Sequence, residues 1–315
     1  MNVSVGIIGL GKAVPNQVLT NADLTKLVDT SDEWITSRTG IKQRFIANPS
    51  TTTADLGYQA ALQALESARL DAKDLDLIIV ATTTPDMPFP ATACLIQDKL
   101  KAYNAAAFDL AAACSGFVYG LEVGNKLAQT GYNRVLVVGV DVMSRLVDYS
   151  DRSTCVLFGD GAGAVILGPV SRGYGFLATE LGADGSGADY LCVPDGRISM
   201  SGRDVFRFAV NIMSATTQSV LDKAGVSIRD IRWFIPHQAN IRIIHAAAQK
   251  LNIAKERIFI NVDRYGNTSA ASIPIALAEL VDASLVDAGD LLVLVGFGAG
   301  LTWGSAVLRW GGEQK

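Results

Sequence analysis

The chain has 315 residues, 49% of them hydrophobic and 18% charged, with a formal net charge of −4. That apolar share supports a large buried core and excludes a disordered chain. The acidic balance and the lack of a Lys/Arg block exclude nucleic acid or an anionic membrane as the main partner.

At roughly 100–200 residues per domain, the length allows one large or two modest domains. No apolar run approaches the ~18 residues that span a bilayer; Leu291–Val295 is closed by glycine after one strand's length. Met1 to Gly11 lacks a basic n-region and a cleavage site, so no secretory signal is expected. Cys94, Cys114, Cys155 and Cys192 are scattered and form no C-x-x-C pair, which fits neither a disulfide scaffold nor a zinc site. The expectation is a cytoplasmic α/β protein with reduced thiols and no metal.

In chain order, the pattern predicts a strand over Val3–Leu10, a helix over Ala54–Ala68 and strands over Leu75–Thr82 and Ala106–Leu110. A helix over Gly116–Gln129 follows, then strands over Arg134–Val140 and Ala164–Gly168. The remainder reads as a helix over Val205–Lys223, a strand over Ile231–Ile235, helices over Asn240–Lys250 and Ala270–Val281, and a strand over Leu291–Val295. Such alternation predicts parallel sheets covered on both faces. Gly131 and Gly225 stand where a left-handed residue would end the preceding helices.

The pattern also repeats. The strand run beginning at Leu75 matches one beginning at Asp230, an offset of 155; the strand ending at Gly139 matches one ending at Gly296, an offset of 157. The helix start at Cys114 matches one near Asn267, an offset of 153. Two copies of one βαβαβ unit are expected, over residues 1–170 and 171–315, packed as one compact body.

Nucleotide and hydrolase motifs are missing. Gly9-Leu10-Gly11 follows a strand, yet Val14 stands where a dinucleotide fingerprint needs glycine, and no P-loop, G-x-S-x-G or H-E-x-x-H occurs. Chemistry concentrates elsewhere. Cys114 sits where a strand runs through small residues into an apolar helix, where unpaired N–H groups and the macrodipole lower a thiol's pKa. His237 lies just past a predicted strand end, where open α/β sheets place ligands; His245, among Ile243, Ile244 and Ala246–Ala248, reads as an ordinary helical residue. Asn267 follows Gly266 at a helix start and is either an N-cap or an amide donor to an oxyanion. The loop Phe297, Gly298, Ala299, Gly300 after the last strand is able to turn N–H groups toward a ligand.

With these residues, and with Thr30–Ile41, Phe158–Ala164 and Gly298–Gly304, the chain resembles β-ketoacyl-acyl carrier protein synthase III of the thiolase-like superfamily over nearly its whole length. The resemblance implies a duplicated five-layered α-β-α-β-α fold, usually a homodimer. It also implies a decarboxylative Claisen condensation that starts fatty-acid synthesis. Cys114 would accept the acyl group of an acyl-CoA primer, acetyl or similar, while His237 and Asn267 hold the malonyl-acyl carrier protein thioester as it loses carbon dioxide. Both thioesters are substrates, and no cofactor is implied. Trp34 and Arg152 would sandwich the adenine of CoA, Arg38 would meet phosphate and Asn240 the pantetheine arm. Phe206, and Phe89 from the partner, would wall the acyl tunnel; Arg242 and Lys250 would dock the acidic carrier. Two alternatives stand beside this reading: a related ketosynthase of secondary metabolism with an unusual primer, and an inactive carrier-binding relative.

Overall fold

The structure is a computed structural model that describes residues 3–312. Residues 1–2 and 313–315, which include the start of the segment read for a signal and the outer ends of the two expected halves, lie outside it. The first half contains strands β1 (Val5–Ala13), β2 (Gln17–Thr20), β3 (Gln43–Ile46), β4 (Leu77–Ala81), β5 (Ala106–Leu110), β6 (Val135–Val142) and β7 (Asp160–Pro169). Its helices are α1 (Asn21–Leu24), α2 (Asp32–Thr39), α3 (Thr53–Ala68), α4 (Thr92–Leu100) and α5 (Gly116–Ala128). The second half contains β8 (Gly175–Ala183), β9 (Leu191–Cys192), β10 (Ser199–Met200), β11 (Trp233–Pro236), β12 (Leu291–Gly298) and β13 (Thr302–Arg309). Its helices are α6 (Gly202–Ala224), α7 (Ile241–Lys250), α8 (Val262–Tyr265) and α9 (Ser272–Asp282).

One sheet runs β1-β7-β6-β4-β5 and the other, read from its far edge, β8-β13-β12-β11. Order and sense agree. The β4/β6 and β11/β12 pairs are parallel, whereas β6/β7, β1/β7, β12/β13 and β8/β13 are antiparallel. The expectation of parallel sheets is therefore corrected to mixed ones. β12 returns as β13 through a short hairpin, which fixes the pair antiparallel because a parallel return needs a long crossover.

The repeat is also sharper than the sequence suggested. β4 and β11 start at 77 and 233, α5 and α9 at 116 and 272, β6 and β12 at 135 and 291, each an offset of 156. Ala270, not Asn267, is thus the counterpart of Cys114. Gly225 does end α6 in the left-handed region (φ 66), but α5 stops at Ala128 with a right-handed Gln129, and Gly131 (φ 127) lies beyond it.

Alternation along the central strands builds the layers. On β6, Val135 and Val137 enter the core against α5 and α9, made by Phe117, Leu121, Ile273 and Leu277; Leu136, Val138 and Val140 face α3 and α4. On β12, Leu292 and Leu294 join the same central core, while Val293 and Val295 face α6 and α7. Strands buried on both faces read as continuous apolar runs, which is why these were visible in the sequence. The result is helix, sheet, helix pair, sheet, helix: the five-layered thiolase-like fold. Among the described residues no helix is long and apolar enough to cross a membrane.

Candidate active site

Cys114 lies in a single 3-10 turn, Ala113–Ser115, between β5 and α5. The residue before it, Ala113, has φ 46, and Ser269, 156 positions later, has φ 51. Both halves therefore bend the chain through the left-handed region just before their central helix. Such a conformation costs a non-glycine residue roughly 1–2 kcal/mol, so surrounding contacts must hold it. Part of that support is Asp141, wholly buried on β6. Its Oδ1 accepts from the Thr82, Thr83 and Thr84 hydroxyls and from the Thr83 and Thr84 N–H groups at 2.7–3.1 Å. Its Oδ2 accepts from the Ala270 N–H at 3.3 Å, tying the loop after β4 to the turn that opens α9.

Cys114 sits where two cavities meet. A pocket of about 700 Å³ is lined by Trp34, Arg38, Cys114, Arg203, Phe206, His237, Asn240, Arg242, Asn267, Phe297 and Gly298. A chamber of about 250 Å³ is walled by Thr83, Ala113, Cys114, Met143, Leu146, Phe158, Leu191, Cys192, Val193, Ile198, Ser269 and Ala299. The wide pocket carries the cations Arg38, Arg203 and Arg242; the chamber is almost wholly apolar.

Two donors face the wide pocket. His237 follows β11, is 1% exposed, and has the Phe297 ring edge-on at 5.2 Å. Its Nδ1 lies 2.6 Å from the Ser272 Oγ, and its Nε2 has no protein partner among the described residues. The Asn267 Oδ1 accepts the Ser269 N–H at 2.9 Å, which turns Nδ2 outward. Asn267 is therefore not the N-cap, a position held by Thr268; its carbonyl closes an Asx turn and its amide is the available donor. Its backbone is pinned by Leu157 O and Gly159 N at 2.8 and 3.0 Å, on either side of Phe158.

The protonation of Cys114 differs from expectation. Burial pushes the Cys114 thiol up to about 12; a Ser269 hydrogen bond opposes this and the Asp141 carboxylate reinforces it. Burial alone brings His237 down to about 3. Removal from water disfavours the charged form of each, so at pH 7 the resting pair is a neutral thiol and a neutral imidazole. Enclosure thus opposes the thiolate that the helix start was expected to favour, and the resting form is the thiol.

The remaining expected residues divide. Arg38 and Arg152 both lie over the Trp34 ring, each 4.9 Å from its centroid, and Arg152 Nη1 donates to the Asp29 carbonyl at 2.8 Å. Asn240 caps α7 by accepting the Arg242 N–H at 2.8 Å. Arg242, expected at a carrier-docking surface, belongs to the wall of the wide pocket, 5.9 Å from the Phe206 ring. Phe206 lines the wide pocket rather than the inner chamber. Phe89 is 83% exposed and lines neither cavity, and Lys250 is an exposed residue bonded to Asn211. In the loop the positive φ falls on Gly300 (φ 131), so Ala299 is accommodated. Gly298 is required for another reason: a Cβ there would lie 2.6 Å from the Cys114 nitrogen.

Sequence reasoning missed Arg203, Asp141 and Ser272. Each is an ordinary residue in its segment, and only Ser272, at the start of a predicted helix, carried a local signal. His245 is exposed on α7, and no group of three or more His, Cys, Asp or Glu is placed to hold a metal among the described residues.

The family model described as 3-oxoacyl-[acyl-carrier-protein (ACP)] synthase III matches residues 108–185, and the model of its C-terminal part matches 221–310. The β-ketoacyl-[acyl-carrier-protein] synthase III of Geobacillus kaustophilus is 54% identical over 98% of this chain and 100% of its own. That of Caldanaerobacter subterraneus is 51% identical over 98% of both. The crystal structure of 3-oxoacyl-[acyl-carrier-protein] synthase III from Aquifex aeolicus superposes with a TM-score of 0.95 at 51% identity, covering 97% of this chain and 100% of that one. The chain belongs to the 3-oxoacyl-[acyl-carrier-protein] synthase III family of condensing acyltransferases.

Proposed function

We propose that the enzyme condenses an acyl-CoA primer with malonyl-acyl carrier protein, through an acyl group carried on Cys114. The observation that carries this reading is the position of Cys114 between a cation-lined pocket and an apolar chamber. The wide pocket suits the phosphates and pantetheine of CoA. Arg38, Arg203 and Arg242 would meet its anionic groups, and the adenine would enter between Arg152 and Trp34. The chamber beyond Cys114 would take the acyl chain, and its volume of about 250 Å³ leaves room for more than acetyl.

In the first half-reaction the Cys114 sulfur attacks the thioester carbonyl and CoA departs as its thiol, carrying the proton that the cysteine loses. In the second, the bond between the malonyl carboxylate and its α-carbon breaks and carbon dioxide leaves. The electron pair spreads onto the thioester oxygen, where His237 Nε2–H and Asn267 Nδ2–H donate to it. The enolate carbon then attacks the acyl-Cys114 carbonyl. That oxyanion rests on the Cys114 N–H and an N–H of the 297–300 loop, and collapse expels the cysteine, which regains a proton from solvent. Each well-placed donor is typically worth ~2.7–4 kcal/mol in mutational terms.

The same reading makes the enzyme a homodimer. β5 is an exposed sheet edge, and Met87, Phe89, Tyr103 and Phe108 are exposed apolar side chains on and near it. A second copy placed there would bring Phe89 to its neighbour's acyl chamber. Intact-protein mass spectrometry after incubation with a panel of acyl-CoAs tests the first half-reaction and reports the favoured primer. Adducts on Cys94, Cys155 or Cys192 instead of Cys114 would overturn the assignment.

A further inference from the structure

We infer that Ser272 is a positioning residue that makes His237 a hydrogen-bond donor at Nε2, by donating its own hydroxyl proton to Nδ1. The inference rests on the reading above only for its consequence, since the proton arrangement is a property of the resting protein.

The hydrogen bonds allow one consistent assignment. Ser272 Oγ lies 2.6 Å from His237 Nδ1 and accepts the Gln238 N–H at 3.2 Å. Ser272 is 2% exposed and His237 1%, so water cannot substitute for a missing partner without cost. If Nδ1 carried the proton and donated to Oγ, the serine hydroxyl hydrogen would need another acceptor. None lies in reach among the described residues; the carbonyl one turn back, which Ser214 and Thr217 use on α6, is not engaged by Ser272. With Oγ–H donating to Nδ1 instead, every group is satisfied: Oγ accepts from Gln238, Nδ1 accepts from Oγ, and Nε2 bears the remaining hydrogen toward the wide pocket.

The consequence is chemical. An imidazole protonated at Nε2 stabilises an enolate oxygen and cannot take a proton through that nitrogen. The opposite tautomer would present a lone pair to the enolate and a base to the Cys114 thiol. Ser272, on the first turn of α9 and five residues after Asn267, thereby selects between decarboxylation chemistry and general-base chemistry at one histidine.

The chain has two histidines, so the protein labelled with 15N-histidine gives a simple spectrum in which exposed His245 is the reference. The wild type at neutral pH is expected to show His237 protonated at Nε2 and bare, hydrogen-bonded nitrogen at Nδ1. In Ser272→Ala that Nδ1 signature should vanish. The kcat for decarboxylation of malonyl carrier protein should fall about tenfold, with its KM and the rate of Cys114 acylation little changed. Ser272→Thr should restore both signature and rate, whereas Ser272→Val, of the same shape, should not. A wild-type signal protonated at Nδ1 would overturn the inference, as would equal behaviour of the Thr and Val variants. A correct wild-type signature in a protein that fails to condense primer with malonyl carrier would instead overturn the functional reading and leave the tautomer assignment standing.

Discussion

Replacing His237 by Gln should make folding less sensitive to acid, and the size of the effect follows from burial. The imidazole lies near 6.5 when unfolded and is brought down to about 3 in the folded protein. Above pH 6.5 it is neutral in both states and contributes no slope. Below 6.5 the unfolded chain binds a proton that the folded chain refuses, so stability is lost as pH falls from 6.5 toward 3. Between pH 7 and pH 5 the linkage amounts to about 2 kcal/mol for this one group. Urea unfolding at both pH values, at one protein concentration, measures it for each protein. Other groups titrate alike in both, so the wild type should lose about 2 kcal/mol more than His237→Gln on acidification. Equal losses would mean that the ring is solvated, or charged, in the folded protein, and the neutral-donor role would fall with that result.

Other perturbations probe the scaffold around the thiol. Gly298→Ala should cut condensation by about 10²–10³-fold with the fold retained by circular dichroism, because the new methyl displaces the Cys114 N–H. Asp141→Ala removes an acceptor from three backbone N–H groups and three hydroxyls in the core, and should cost at least about 3 kcal/mol by urea unfolding. On the exposed edge, Phe108→Lys should weaken self-association in sedimentation equilibrium; Phe89→Ala should keep the dimer but alter the preferred primer length. A wild-type monomer at micromolar concentration would refute the pairing.

What the sequence made legible is what burial on both faces makes legible. The runs of β4, β6 and β12 appear as unbroken apolar strings, and α3, α5, α6 and α9 were placed to within a few residues. β8 (GFLATELGA) and β13 (TWGSAVLR) were missed because they mix glycine, polar and apolar residues. Without them the antiparallel part of the second sheet was hidden; in the first sheet β1 and β7 were legible as strands but their direction was not. α4 went unseen because it is short and its N-cap residue, Ala91, has no side chain to cap it; Asp109 on β5 instead accepts the Thr92 and Ala93 N–H groups at 2.7 and 2.8 Å. At the site, Cys114, His237 and Asn267 were found from their places at strand ends and helix starts. The charge state of Cys114 was not, since part of its enclosure, from Ser269, Gly298 and Ala299, comes from the other half of the molecule. Ser272 and Asp141 act through contacts 35 and 129 residues away in sequence, beyond any local pattern.

The division of labour between thiol and donors is the centre of the account, and separate half-reaction assays on three variants test it directly. His237→Ala and Asn267→Ala should still form acyl-Cys114 from acyl-CoA, read by intact mass, while losing release of carbon dioxide from malonyl carrier protein. Cys114→Ala should show the reverse, slow release of carbon dioxide with no condensed product. Loss of acylation in His237→Ala as complete as in Cys114→Ala would contradict the account and make the histidine the base that activates the thiol.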